Sequence, residues 1–422
     1  MSTTEQRHEA TAPSAGLGAN YYKLWTASAI SNLGDGVRIT AFPLLAASIT
    51  REPTLVAGVA FAGSLPWLLF ALIAGAIADR VDRRRLMWTV QLYRMVLMGV
   101  LAVAIASGLG DAPMLAVVYM ISFLLGIGET LFDNAAQSIM PSVVRKDQLQ
   151  VANGRLYAVE RVTNEFAGPP IGSFLFVAVA AGPFVLDAAS FAIGALLILA
   201  MTGAFLASGA PAEPVRMRSA IAEGLRWLLA HRVLRTLGIM TGVFNLTSSA
   251  VFSILVLYVL EILGLDESSY GVVLALGAVG GVLGGLLGPR IARALGDGPT
   301  FHVVMLAGAA GYLAVGLFDH VIVLAATLSL FGLGAMTWNV IAVSLRQQIV
   351  PDHLMGRVNS VYRLLAWGMM PLGAALGGLL ADSFGLRSPW LISAAALAVL
   401  VITTMPIVNN RTIAEARAEA SD

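Results

Sequence analysis

Asp35 and Arg38 stand one helical turn apart in a run that is otherwise apolar from Tyr22 to Ile49. Glu129 and Asp133 are spaced the same way inside Met114–Ile139, and Glu160, Arg161 and Glu165 crowd Leu149–Ala178. An ionisable group at bilayer depth costs roughly 2.5–3.5 kcal/mol on insertion scales, so it needs a partner or a task. The chemistry open to such carboxyls is proton traffic, in which a proton is taken up on one side of a membrane and released on the other. Glu129 ranks first as carrier, because Gly126 and Gly128 keep its surroundings free of bulk. Asp133 is placed to relay the proton onward, whereas Asp35, once paired with Arg38, would act on substrate charge or on gating. Arg161 and Glu165 have the i,i+4 spacing of a structural ion pair. Arg94 and Arg363 read as long cations reaching back to the membrane surface.

Enzymatic chemistry finds no foothold. His8, His231, His302, His320 and His353 lie in tails, loops or helix ends, and no His/Asp/Glu grouping has metal-ligand spacing. The chain has no cysteine, which excludes thiolate nucleophiles, thiolate metal sites and disulfides. The expectation is therefore no catalytic residue, no metal and no cofactor.

The elements that must position these charges are membrane helices. Of 422 residues, 58% are hydrophobic and 12% charged, about half the charge of a soluble domain. Lipid must solvate most of such a surface. Spans of roughly 20 apolar residues, enough to cross at 1.5 Å per residue, recur along the chain. About twelve are read: Tyr22–Ile49, Thr54–Ala78, Leu86–Ala106, Met114–Ile139, Leu149–Ala178 and Pro183–Leu206, then Val233–Leu260, Ser269–Leu287, Phe301–Leu317, Val321–Val343, Leu354–Ala381 and Pro389–Val408. The domain reading is a tail over 1–20, a six-helix bundle over 21–206, a linker over 207–232, a second bundle over 233–408 and a tail over 409–422. The linker carries Pro211 and Pro214 and an amphipathic helix over Ser219–His231.

Charge sets the orientation. Most of the 26 lysines and arginines fall in loops or tails on one side, with only Arg51 and Arg387 on the other, and basic loops stay in the cytoplasm. Both termini are then cytoplasmic. The net charge of +1 and the scattered basic residues give no track for nucleic acid. Residues 1–20 lack the basic start of a signal peptide and read as a disordered tail.

The halves repeat. Asn32-Leu-Gly-Asp35 returns as Asn245-Leu-Thr-Ser248, and Gly75-x-x-x-Asp79-Arg80 as Gly285-x-x-x-Pro289-Arg290. Gly126-x-Gly128-Glu129-x-x-Phe132-Asp133 returns as Gly332-x-Gly334-Ala335-x-x-Trp338-Asn339, and Gly168-x-x-x-Gly172 as Gly373-x-x-x-Gly377. The acids at 35, 129 and 133 have no ionisable counterpart, so the repeat itself does not demand them. A ladder of glycines from Gly277 to Gly288 is mid-helix, which fits close helix packing and not a phosphate loop. Asn245-Leu-Thr247 spells a glycosylation sequon but lies within a span.

Parallel six-helix repeats joined by a cytoplasmic linker are one transporter architecture. The loop Gly75-Ala-Ile-Ala-Asp79-Arg80-Val-Asp82-Arg83-Arg84 resembles the signature between the second and third helices of the major facilitator superfamily, with Asp82 where a glycine is usual. Gly168-Pro169-Pro170-Ile171-Gly172 resembles the antiporter signature of the same superfamily, with Ser173 for its last glycine. Ser31–Gly36, Glu129–Asp133 running to Pro141, Asp187–Phe191, Glu223–Arg226 and Gly356–Val358 resemble the branch that holds macrolide-type efflux proteins and siderophore exporters.

The resemblance implies an all-α integral membrane protein: twelve transmembrane helices in two pseudo-symmetric six-helix bundles. It implies a bacterial inner-membrane exporter of a small amphipathic compound, coupled to protons, working by alternating access as a monomer. It puts the first, fourth, seventh and tenth helices around a central cavity, with Asp35, Arg38, Glu129, Asn245, Trp338 and Asn339 as lining candidates. It makes Gly75, Asp79, Arg80, Arg83 and Arg84 a cytoplasmic gate, and Gly168, Pro169 and Gly172 an antiporter motif. An uptake symporter or uniporter shares the fold, and a non-transporting sensor or a lipid scramblase is the remaining alternative.

Overall fold

Lipid offers the backbone no hydrogen-bond partner, so each apolar run must close its own bonds as a helix. A computed structural model describes residues 16–78, 80–203, 205 and 217–421, and they form helices with no strand among the described residues. The first half holds α1 (Ala19–Ile49), α2 (Pro53–Ala78), α3 (Arg83–Ala106) and α4 (Asp111–Val143). α5 (Leu149–Arg161) and α6 (Gly168–Ala178) form one rod through a π-helical stretch, Val162–Ala167, and α7 (Gly182–Leu199) follows. α8 (Met217–Ala230) leads to α9 (Arg232–Ser253), α10 (Leu255–Leu257), α11 (Glu267–Leu295), α12 (Asp297–Leu317), α13 (Val321–Ile349), α14 (Asp352–Phe384), α15 (Ser388–Thr404) and α16 (Asn410–Ser421).

Eight helices among the described residues are long and apolar enough to cross a membrane, or nine when the pair bent by 46° after Ser253 counts as one span. Of the spans read from sequence, the remainder fall short for local reasons. α1 carries Lys23, Asp35 and Arg38, the α5–α6 rod is interrupted and charged, and α15 has 17 residues.

The repeat is a repeat of contacts. Thr40 Oγ1 of α1 donates to Pro169 O of α6 at 3.2 Å, and Ser253 Oγ of α9 donates to Ala374 O of α14 at 3.3 Å. A Cβ on Gly172 would overlap Val37 O, and one on Gly377 would overlap Ala250 O. The same backbone approach is therefore used twice, at corresponding positions of the two halves. The glycine ladder packs α11 onto α13 in the expected small-residue manner, most tightly at Gly280, where a Cβ would collide with Ser329 O. Gly280→Val should push these helices apart at a cost of about 2–4 kcal/mol, lowering both the yield of monodisperse protein and its thermal midpoint in detergent. A midpoint equal to wild type would mean that this contact is not needed.

The ends differ from the tails expected. Leu17 is buried, α1 already begins at Ala19, and Asn20 exchanges hydrogen bonds with the backbone of Thr202. Only 1–15 of the expected N-terminal tail lie outside the described residues. The stretch over 409–422 is mostly α16, which buries Ile413 and Ala416 and ties Arg417 to Asp297 at 2.5 Å. Apolar residues at helical spacing gave this segment a face to dock. Most of the polar linker, with Pro211 and Pro214, lies outside the described residues. Its amphipathic helix is α8, which is joined to α14 by a Glu223–Arg357 ion pair.

The halves touch through α2 with α14, α6 with α11, and α1 with α10. These contacts lie away from the arginine-rich loop at the end of α2: Gly378 of α14 abuts Pro53 and Thr54, and Gly271 of α11 abuts Pro169. Among the described residues, α3, α4 and α5 make no comparably extensive contact with the helices of the second half.

Candidate functional site

A cavity of about 850 Å³ lies between the halves. Its wall includes Tyr157, Arg161 and Glu165 from the α5–α6 rod, and Arg346 and Arg363 from the loop-side parts of α13 and α14. The far wall is aromatic. Phe244 and Phe331 stack at 5.1 Å with their planes 3° apart, and Trp338 is backed by the buried Phe301, which meets it edge-on at 4.5 Å behind the wall. Trp338 Nε1 donates to Thr241 Oγ1 at 3.2 Å, and Asn245 Nδ2 to Ala366 O at 2.7 Å.

Of the expected lining residues, Asn245, Trp338 and Asn339 are in this wall. Asp35, Arg38 and Glu129 are not among its lining residues. They belong to a charge cluster inside the first half, because the face of α1 that carries Asp35 and Arg38 turns toward Arg94 of α3, Glu129 of α4 and Asp187 of α7. Arg38 Nη2 lies 2.9 Å from Asp35 Oδ1 and 3.3 Å from Glu129 Oε2, and its Nε lies 3.8 Å from Asp187 Oδ2. Arg94 Nη2 reaches the same Asp35 oxygen at 2.5 Å, with its guanidinium 4.1 Å from the centre of the Phe191 ring. Asp187 is fully buried, and Ser190 Oγ stands 3.3 Å from its Oδ1. Asp133 follows Glu129 by one turn of α4 and feels the charges of Glu129 and Arg94.

Two members escape a reading of the sequence. Arg94, expected at the membrane surface, is 1% exposed. α3 directs it at Asp35, and pairing there costs less than crossing to water. Asp187 stands out in sequence only as part of a motif and not as a charge. Its signal is nonetheless present, since it is an acid in the middle of an apolar run. Among the described residues, the carboxyls of Asp35, Glu129 and Asp187 pair only with the guanidiniums of Arg38 and Arg94, and Asp133 adds a further acid beside them. Surplus negative charge in a low-dielectric interior is costly, so such a set can take up protons. Glu129 is its most open carboxyl among the paired ones, at 38% exposure.

Arg161 and Glu165 do pair, as their spacing implies, but they also line the cavity. The tenth span as read from hydropathy ends at Val343, which would place Arg346 in a loop. α13 instead runs to Ile349 and carries Arg346 into the wall. Arg363 is also in the wall, 5.7 Å from the Trp367 ring centre, and does not lead out along the surface.

Within the motif loop, Asp82 caps α3 by accepting from Arg85 N at 2.8 Å and also accepts from Phe205 N at 3.1 Å. Arg84 bonds the carbonyls of Ile198 and Leu199 at the end of α7. Arg83 N donates to Phe205 O, and Arg80 is exposed. Gly75 has room for a Cβ, 3.6 Å from Asn134. Asp79 lies outside the described residues. In the antiporter-like motif, a Cβ on Gly168 would fall 2.5 Å from Gly36 Cα, and Pro169 opens α6 directly after the π-helical stretch.

The family model described as transmembrane secretion effector matches residues 11–421. A multidrug efflux pump, Tap, from Mycolicibacterium fortuitum is 29% identical, covering 90% of this chain and 93% of its own. Among solved structures, a mutant of the nucleoside transporter NupG aligns with a TM-score of 0.78 at 10% identity, covering 92% of this chain and all of its own. A bacterial homologue of the iron transporter ferroportin, in its inward-facing state, aligns with a TM-score of 0.71 at 17% identity, covering 94% and 98%.

Proposed function

Because this chain belongs to the transmembrane secretion effector family and is a multi-pass membrane transporter of the major facilitator type, we propose that it is a proton-coupled exporter of a small amphipathic compound. The observation that carries the reading is the pairing of two unlike sites. One is a cavity between the halves, and the other is a buried cluster with more carboxyls than guanidiniums, set on α1, α3, α4 and α7.

In this scheme the cavity, open on the side of the arginine-rich loop, takes substrate from the cytoplasm. The halves then rock to open the far side, where α2 and α14 now meet. Protonation of the cluster weakens the hold of its carboxylates on Arg38 and Arg94, freeing α1 to shift against α4 and α7. Glu129 is the carrier, Asp133 the relay, and Asp35 the anchor for both arginines. The arginine loop, with Asp79, Arg80, Arg83 and Arg84, locks the cytoplasmic side when the far side is open. The domains are two bundles over 21–206 and 233–408, working as a monomer in a bacterial inner membrane with both termini inside. Export is favoured over uptake by the relative named as an efflux pump.

Everted vesicles with an imposed pH gradient test the direction. Substrate accumulating inside them on acidification of the lumen supports export. Accumulation only under the reverse gradient would make the protein a symporter. Orientation has its own test in this cysteine-free chain. Val81→Cys should resist impermeant thiol reagents added to intact cells and react in everted vesicles. Ready labelling from outside would invert the topology.

A further inference from the structure

We infer that the cavity selects an amphipathic organic anion with a flat ring system. The inference rests on the transporter reading above and names the substrate class of the same cavity. Three guanidiniums, of Arg161, Arg346 and Arg363, stand in the wall against the carboxylate of Glu165. Arg161 is paired with Glu165. Arg346 and Arg363 have no acid within ion-pair distance among the described residues.

Both are held on aromatic faces instead. The Arg346 guanidinium lies 3.8 Å from the centre of the Tyr362 ring, and its buried Nε has no hydrogen-bond partner. The Arg363 guanidinium lies over Trp367, whose ring is in turn 4.2 Å from that of Trp67. A ring face orients a guanidinium without neutralising it, and the edge N–H groups remain available as a fork for a carboxylate, sulfonate or phosphate. Arginine stays charged at any relevant pH, so the attraction is permanent.

The rest of the wall suits the other end of such a molecule. The near-parallel rings of Phe244, Phe331 and Trp338 line the cavity on the same half as Arg346 and Arg363. Such a lining takes an aromatic plane, while the net positive rim takes its charge. A cationic ring would meet the same lining beside two uncompensated like charges. The acid-rich cluster, where a cation would be welcome, is in the other half and outside this wall.

The two xanthene dyes fluorescein, in its dianionic form, and rhodamine 6G, a cation, separate the possibilities. Binding is read by fluorescence polarisation on the purified full-length protein in nanodiscs. Fluorescein should bind, and Arg346→Gln with Arg363→Gln should weaken it by about tenfold per arginine removed. Arg346→Lys with Arg363→Lys should keep most of the affinity, which separates lost charge from lost fold. Rhodamine 6G binding better than fluorescein, or fluorescein binding unchanged in the Gln double variant, overturns the assignment. Movement of each dye into everted vesicles is scored separately. Arginine-dependent fluorescein binding without movement would leave the anion site standing and sink the transporter reading. Movement of rhodamine 6G with no fluorescein binding would do the reverse.

Discussion

Asp35→Ala should be the most damaging single substitution in the first half. Asp35 Oδ1 is the common acceptor for Arg38 at 2.9 Å and Arg94 at 2.5 Å. Removing it leaves Arg94, 1% exposed, against the Phe191 ring, with no acid within ion-pair distance among the described residues and its Nε without a partner. Breaking a buried ion pair by deleting one partner costs about 3–5 kcal/mol, because the other charge stays buried without compensation. That is a large share of the total stability of an ordinary folded domain. The expected result is a protein that inserts poorly and melts several degrees lower in detergent. Arg38 is less affected, since Glu129 and Asp187 remain beside it. The double variant Asp35→Ala with Arg94→Leu should recover much of the loss, with a coupling of at least about 1.5 kcal/mol in a double-mutant cycle. A single variant as stable as wild type would show that the Asp35–Arg94 pair does not anchor α1 to α3.

Glu129→Gln should instead leave the fold intact and remove the coupling. Its side chain is the more open end of the cluster, and Arg38 keeps two other carboxylates when Glu129 loses its charge. An amide keeps the shape and can still accept a hydrogen bond, but it cannot bind and release a proton. In proteoliposomes, substrate-driven proton movement should fall by at least about tenfold, while exchange of substrate across the membrane and substrate binding persist. Asp133→Asn should slow the same movement without abolishing it, as befits a relay one turn further along α4. Should Glu129→Gln drive proton movement like wild type while Asp35→Asn does not, the carrier is on α1.

These expectations draw on two kinds of information. The sequence by itself determined the helical character of the chain and the ion pairs local to one helix. Hydropathy located the spans, because a continuous apolar run of about 20 residues in lipid closes its backbone hydrogen bonds within itself as a helix. The i,i+3 and i,i+4 spacings gave the Asp35–Arg38 and Arg161–Glu165 pairs, since neighbours on one helix face meet whatever the helix packs against. The internal repeat gave the two halves, and its small residues marked the close contacts at Gly172 and Gly377.

Only the tertiary structure decided which helix each charged face meets. Periodicity orients a residue about its own axis and says nothing of the neighbour across the groove. Arg94 of α3 and Asp187 of α7 therefore joined Asp35 and Arg38 unannounced. For the same reason Asp35, Arg38 and Glu129, expected around the cavity, gathered in a cluster beside it. The cavity's own charges depended on where two helices stop opposite each other. Arg346 entered the wall because α13 runs on past Val343 to Ile349, and Arg363 because α14 turns that face inward. A hydropathy window ends a span at its last apolar stretch. A helix ends where its hydrogen bonds and packing do, and here the difference is a positive charge in the cavity wall.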